Sequence, residues 1–161
     1  MATAHQVATT KTPVDELIAF EVATRDLVGV ALRSVEQLEV SLPQFRLLLT
    51  LSELGRSTSS DCARALGVVG SSVTRLADRL HNSGHLVRGT DPTNRSIVTL
   101  ELTAQGRKLV KQVSTRRRRE LSRVLDTINA DDRAACAAVL RTLHDHFGDD
   151  YAGDLYNPMP L

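Results

Sequence analysis

Residues 58–102 read TSSDCARALGVVGSSVTRLADRLHNSGHLVRGTDPTNRSIVTLEL, and this stretch decides the fold. Thr58 can accept from the amide of Asp61, while Asp61 sits at the positive end of the helix that begins there. Cys62, Ala63 and Leu66 supply the buried side of that short helix, and Gly67 can turn the chain left-handed to close it. A second helix is predicted over 71–82, stopping at Gly84. Its apolar residues Val73, Leu76, Ala77 and Leu80 fall on one face of a 3.6-residue helix. With that face inward, Ser71, Arg75, Asp78 and Asn82 point straight out, flanked by Ser72, Thr74 and Arg79.

Two strands should follow. Leu86–Thr90 is short, and residues 96–102 alternate, with Val98, Leu100 and Leu102 expected on one face and Ile97, Thr99 and Glu101 on the other. Asp91-Pro-Thr-Asn-Arg95 between them is turn chemistry, because Asp and Asn bond their own backbone and Pro fixes one φ. Helix, turn, helix and hairpin in that order make a winged helix-turn-helix. Hydroxyls suit phosphate oxygens, and an arginine fork matches the O6/N7 pair of guanine. Ser71, Ser72, Thr74 and Arg75 are therefore the candidates for the major groove, and Arg79 and Arg88 for phosphate. Arg95, at the hairpin tip, is the candidate for the minor groove, where negative potential concentrates. Asp91 and Asn94 shape the tip, with Asp91 expected to hold Arg95 in place.

The charge distribution agrees. The formal net charge is only +1, yet residues 1–55 carry four bases against seven acids, 56–119 thirteen against four, and 120–161 three against eight. A basic middle between acidic ends is the pattern of a nucleic-acid module flanked by a scaffold that does not touch the ligand.

The flanks read as helices, which makes the fold class mainly α with a small antiparallel β-wing (α+β). Residues 1–13 lack periodicity and are expected to be a mobile arm. A long helix is predicted from 14 to 38. Leu17, Phe20, Leu27, Ala31, Val35 and Leu38 form one stripe, widened by Ile18, Val22, Val28, Val30 and Leu32. A helix this apolar must be covered on more than one side, and a subunit interface is the simplest cover in so short a chain. Ser41-Leu-Pro-Gln44 opens the next helix as a capping box, and Phe45, Leu48, Leu49 and Leu51 bury it. Beyond the wing, Thr103 should cap a helix to about Thr127. Its Arg116–Arg119 run spreads around the whole circumference, and a solvated crossing with ion pairs to Glu120 and Asp126 is expected. A last helix should run from the Asn129 cap to Gly148, on a stripe of Ala135, Val139, Leu140, Leu143 and Phe147. The expected parts are thus 1–13 arm, 14–55 supporting and dimerising helices, 56–102 reading module, 103–148 connecting and dimerising helices, and 149–161 tail.

The order and the motifs together resemble the MarR family (multiple antibiotic resistance regulators), dimeric winged-helix repressors. The likeness rests on SSVTRLADRLHNSGHLVR at 71–88, the wing at 91–95 and LTAQGRKL at 102–109, and in element order it spans Asp15 to Phe147. The family wing usually reads Asp-x-Arg-(Asp/Asn)-Arg-Arg. Asp91, Asn94 and Arg95 match it, whereas Thr93 and Ser96 stand where arginines are usual. Asn82 and Ser83 likewise replace an acidic and basic pair. The resemblance implies a homodimer that binds double-stranded DNA at a pseudo-palindromic operator. It also implies a possible small aromatic or lipophilic effector that wedges between the dimer helices and the reading head, in a pocket drawn from residues near 17–35, 45–53 and 105–113.

Other chemistry is not indicated. Cys62 and Cys136 are too few for a disulfide scaffold, and they fit a reducing cytoplasm. No apolar run of 18 residues suggests a membrane span, and no apolar h-region suggests a secretion signal. His144 and His146 diverge on a helix, and His81 and His85 straddle Gly84, so no metal site is expected. Phosphate loops, nucleophile elbows and paired catalytic carboxylates are missing, so neither an enzyme nor a cofactor is expected. Two rivals remain: a winged-helix scaffold for protein partners, and a polyanion- or membrane-binding protein working through 107–119.

Overall fold

The computed structural model describes residues 11–36 and 38–153. The greater part of the arm expected over 1–13, and the tail from residue 154 onward, lie outside the described residues. Six helices and three strands follow in the order α1 (Val14–Val35), α2 (Leu42–Leu54), β1 (Ser57–Thr58), α3 (Ser59–Leu66), α4 (Gly70–Asn82), β2 (Leu86–Thr90), β3 (Val98–Leu102), α5 (Ala104–Leu125) and α6 (Ala130–Gly153).

Local rules set most of the boundaries. Ser41 and Gln44 form a reciprocal capping box at the start of α2, and Thr58 and Asp61 form another at the start of α3, each satisfying two otherwise orphaned amides. The Asp61 carboxyl is held below its ordinary value, first by the Thr58 hydroxyl and then by the Thr58 amide. Thr103 caps α5 by accepting from the Gly106 amide at 3.1 Å, and its own hydroxyl donates to the Gly84 carbonyl at 2.7 Å.

The sheet is antiparallel in the order β1-β3-β2, with Thr58 opposite Thr99 and Gly89 opposite Thr99 from the other side. The strand expected from 96 begins at Val98. Ahead of it, the Ser96 amide bonds the Asn94 side chain and the Ile97 amide bonds the Asn94 carbonyl, so the turn keeps those residues. The expected alternation also fails at one point: Val98 is 47% exposed while Thr99 is only 5% exposed. β3 is the central strand, and the Arg56 side chain covers the face that Thr99 presents.

One core joins the elements. Phe45, Leu47, Leu48 and Leu51 of α2 meet Cys62 of α3, Val73, Ala77 and Leu80 of α4, Leu86 and Leu100 of the sheet, and Val113 of α5. Burying each Val, Leu or Phe among them contributes roughly 1.5–3 kcal/mol. α5 passes so close to the turn after α4 that a Cβ on Gly106 would lie 2.1 Å from the His85 carbonyl oxygen. Only glycine fits there.

The arginine run of α5 departs from expectation. Four consecutive helical residues cover the full turn, so one of them must face inward, and Arg117 does. Its Nη2 donates to the buried Ser34 hydroxyl at 2.9 Å and its guanidinium lies 5.3 Å from the centre of the Phe45 ring. Burial lowers its pKa. Glu120 pairs with Arg33 of α1 at 2.7 Å, and Asp126 accepts from Ser122.

α1 ends at Val35, where the Leu38 amide bonds the Val35 carbonyl and the chain turns. α6 continues through Gly148 to Gly153. Leu17, Ile18, Phe20, Val22, Leu27 and Val28 of α1, and Val139, Leu140 and Phe147 of α6, are exposed on the single chain.

Candidate nucleic-acid interface

α4 is held against the core by Val73, Ala77 and Leu80, which are buried, with Leu76 half-buried beside them. The opposite face is therefore fixed in orientation. It presents Ser71, Thr74, Arg75, Asp78, Arg79 and Asn82 to solvent, with Ser72 half-buried at the edge. The 3.6-residue period places Ser71, Arg75 and Asp78 in one row, and Thr74 beside them. The Thr74 hydroxyl donates to the Gly70 carbonyl at 3.1 Å, which leaves its oxygen as an acceptor. Val69 precedes the helix, makes no side-chain cap and is exposed.

Among the described residues Arg75, Arg79 and Arg95 form no ion pair, whereas Arg33, Arg64 and Arg88 do. Cations left unpaired on a surface that also carries hydroxyls are suited to an anionic ligand. Arg88, a phosphate candidate by sequence, also has partners within the chain: its Nη2 lies 2.6 Å from Asp78 and 3.4 Å from the Thr74 carbonyl. The residue clasps β2 to α4 and neutralises the one carboxylate on the outward row.

The wing tip is built by Asp91. Its Oδ1 accepts from the Thr93 amide at 2.8 Å, from the Thr93 hydroxyl, and from the Asn94 amide at 3.1 Å. Hydrogen bonds from the Thr93 hydroxyl, then from the two amides, hold its carboxyl below the ordinary range, and the nearby Arg56 cation adds to them. The Asp91 amide bonds the Ile97 carbonyl at 2.9 Å and closes the loop. The expected Asp91–Arg95 contact is not formed; Asp91 Oδ1 serves Thr93 and Asn94 instead. Arg95 stands exposed at the tip. Thr93 is thus a structural partner of Asp91, a role its position in the turn could have suggested.

Arg56 was missed by sequence reading. It reaches from the loop before β1 to donate to the Thr99 hydroxyl at 3.1 Å and to the Thr90 carbonyl at 2.6 Å. No local signal marks this, since its partners lie more than thirty residues away.

His85 and Cys62 lie buried within the module. His85 is buried, with Nδ1 2.8 Å from the Ser83 hydroxyl and Nε2 3.4 Å from the Gln105 amide nitrogen. The Cys62 thiol is pushed up to about 11 by burial and by the Asp61 charge, which makes it a poor nucleophile. Among the described residues no three His, Cys, Asp or Glu side chains are grouped to hold a metal, and no helix is long and apolar enough to cross a membrane.

Comparison with known proteins places these features. The model of the MarR family matches residues 40–98, from the turn before α2 to the start of β3. An uncharacterized HTH-type transcriptional regulator of Bacillus subtilis, YfiV, is 29% identical, over 62% of this chain and 62% of its own length. The crystal structure of RV1404 from Mycobacterium tuberculosis is 32% identical, covers 86% of this chain and 97% of that one, and superposes with a TM-score of 0.74. A mutant MarR from Escherichia coli, solved in complex with operator DNA, shares the fold with a TM-score of 0.65 at 19% identity, over 81% of this chain and 94% of that one.

Proposed function

The chain belongs to the MarR family of transcriptional regulators, and from that premise we propose that it binds a pseudo-palindromic operator in double-stranded DNA as a homodimer and represses the genes beside it. The observation that carries this reading is the exposed row on α4, where Arg75 and Arg79 stand among Ser71 and Thr74 with Ser72 at the edge, next to Arg95 on the wing, all three arginines without an ion pair among the described residues. α4 would enter the major groove. Arg75 has the fork to read guanine, and the serine and threonine hydroxyls can fix the helix on phosphate. Arg95 would lie in the flanking minor groove. An E. coli protein of the same fold was solved with operator DNA, which supports DNA as the ligand.

The apolar residues left exposed on α1 and α6 of the single chain support the two-copy reading. Their burial against a second chain would set the two α4 helices one helical turn of DNA apart, roughly 34–36 Å or a multiple of it. The effector would act on that spacing, since a ligand that prefers a separation the duplex cannot match releases DNA. One open groove of about 580 Å³, lined by Leu32, Val35, Leu38, Val40 and Leu42 with Arg33, Glu36 and Glu39 at its rim, offers an apolar floor for a small aromatic or lipophilic molecule. It lies at the end of α1, beyond most of the pocket expected from sequence.

Footprinting on the region upstream of the gene tests the reading. Two protected half-sites one turn apart, absent from a scrambled duplex, are expected. A winged-helix scaffold for protein partners would leave no footprint.

A further inference from the structure

The hydrogen bonds within the wing shape its tip and leave Arg95 out. Arg95 makes no ion pair among the described residues, and the two positions beside the tip that the sequence fills with Thr93 and Ser96 carry no charge. The base of the hairpin is nonetheless tied. The Arg56 guanidinium spans both arms, with Nε donating to the Thr99 hydroxyl of β3 at 3.1 Å and Nη2 donating to the Thr90 carbonyl of β2 at 2.6 Å. Thr90 is the last residue of its strand, and the turn begins at the next residue, so the tie sits where the hairpin opens.

Three further observations fit this tie. Thr99 is a buried hydroxyl on the central strand and would lose its described partner without Arg56. A Cβ on Gly89 would lie 3.2 Å from Arg56 Nη2 and 3.1 Å from the Thr99 hydroxyl, so the glycine leaves the space that the guanidinium fills. Arg56, Asp91, Pro92 and Thr99 also line a shared hollow with Asp61, and the cation there faces the carboxylate that shapes the turn.

We propose that Arg56, outside the wing in sequence, is the positioning residue of the wing: its forked tie between Thr90 and Thr99 sets the angle at which Arg95 meets the duplex. The proposal rests on the DNA-binding reading for its consequence, though not for the tie itself. A hairpin fixed before binding loses less freedom on binding, and that difference appears as affinity. Geometry is the essential property, because Lys has the charge without the fork.

The test uses the full-length protein with Arg56→Met, Arg56→Lys and Thr99→Val, alone and combined with Arg95→Ala. Amide hydrogen exchange is read first. Residues 93–98 are expected to exchange several-fold faster in all three variants, with the amides of α2 and α4 unchanged. Thr99→Val keeps the readout available if an Arg56 variant folds poorly. DNA affinity is read second. All three should bind a selected duplex roughly five- to tenfold more weakly, the scale of one lost hydrogen bond, and the loss should vanish once Arg95 is alanine. Unchanged exchange in the wing would overturn the proposal. It would also be overturned if Arg56→Lys bound like wild type while Arg56→Met remained weak in the Arg95→Ala background, because Arg56 would then be a phosphate contact acting by charge. Wild-type protein without selective DNA binding would instead sink the regulator reading, leaving the exchange result to decide the tie.

Discussion

Arg88 on β2 closes over Asp78 on α4 at 2.6 Å, so the only carboxylate in the outward row of the reading helix is neutralised by the strand that follows it. The pair is partly exposed, and its worth to folding is small, of order 0–1 kcal/mol. Its consequence lies at the interface. A bare Asp78 would face the phosphates.

Arg88→Ala is therefore expected to cost more DNA affinity than loss of one remote cation, about ten- to fiftyfold at moderate salt, while thermal stability changes little. Asp78→Ala should leave affinity unchanged or raise it, and should rescue part of the Arg88→Ala loss. Titrations of the four proteins of this cycle check it. Identical losses in Arg88→Ala with and without Asp78 would contradict the masking role.

Gly106→Ala should be severely destabilising, because the new methyl would overlap the His85 carbonyl at 2.1 Å, a backbone atom that cannot swing away. A cost of about 2–4 kcal/mol is expected from overpacking of this kind. Gly70→Ala is the contrast: nothing lies within 4 Å of its Cβ, and helix propensity should stabilise by about 0.5 kcal/mol. Urea denaturation of both variants measures the difference.

Thr58→Ala removes the hydroxyl that accepts from the Asp61 amide and donates to the Asp61 carboxylate, while the Thr58 amide keeps its own bond to that carboxylate, and should destabilise by about 1 kcal/mol near neutral pH. The Asp61 pKa is depressed in the fold, so its contribution is present above the unfolded value of 3.8 and is lost as pH falls through the folded one. The gap between wild type and Thr58→Ala should narrow as the solution is acidified below that value. A gap that stays constant down to strongly acid pH would show that the carboxylate plays no part.

The two cysteines should differ in reactivity. Cys62 is buried with its thiol pushed up to about 11, while Cys136 is exposed on α6. In Cys136→Ser the remaining thiol should resist a disulfide reagent at neutral pH and react fully only in denaturant. Fast reaction in the native protein would make Cys62 a redox candidate.

What the sequence made legible was local. The capping boxes at Ser41 and Thr58 are read from residues three apart, and the face of α4 from a period of 3.6. The hairpin registered through its turn residues. What the sequence left open were partners distant along the chain. Arg88 faces Asp78 across the turn between α4 and β2, Arg56 crosses to Thr99 forty-three residues on, and Arg117 crosses to Ser34 eighty-three residues back. Each is an arginine, whose long stem lets its charge settle far from where the backbone places it. A sequence pattern fixes where such a stem begins and leaves open which neighbour its fork will meet. The alternation of β3 broke at Thr99 for the same reason, since the cover over its polar face arrives from Arg56.

The central claim is that the outward row of α4 reads sequence while the wing adds affinity. Fluorescence anisotropy across several salt concentrations, with the upstream region and a scrambled duplex, tests it most directly in wild type, Arg75→Ala and Arg95→Ala. The account predicts tight, steeply salt-dependent binding by wild type that favours the upstream duplex. Arg75→Ala should lose most of that preference, at a cost of about 1–3 kcal/mol on the specific duplex, and Arg95→Ala should weaken both duplexes more evenly with a shallower salt slope. Equal, weak binding of all three proteins to both duplexes would contradict it.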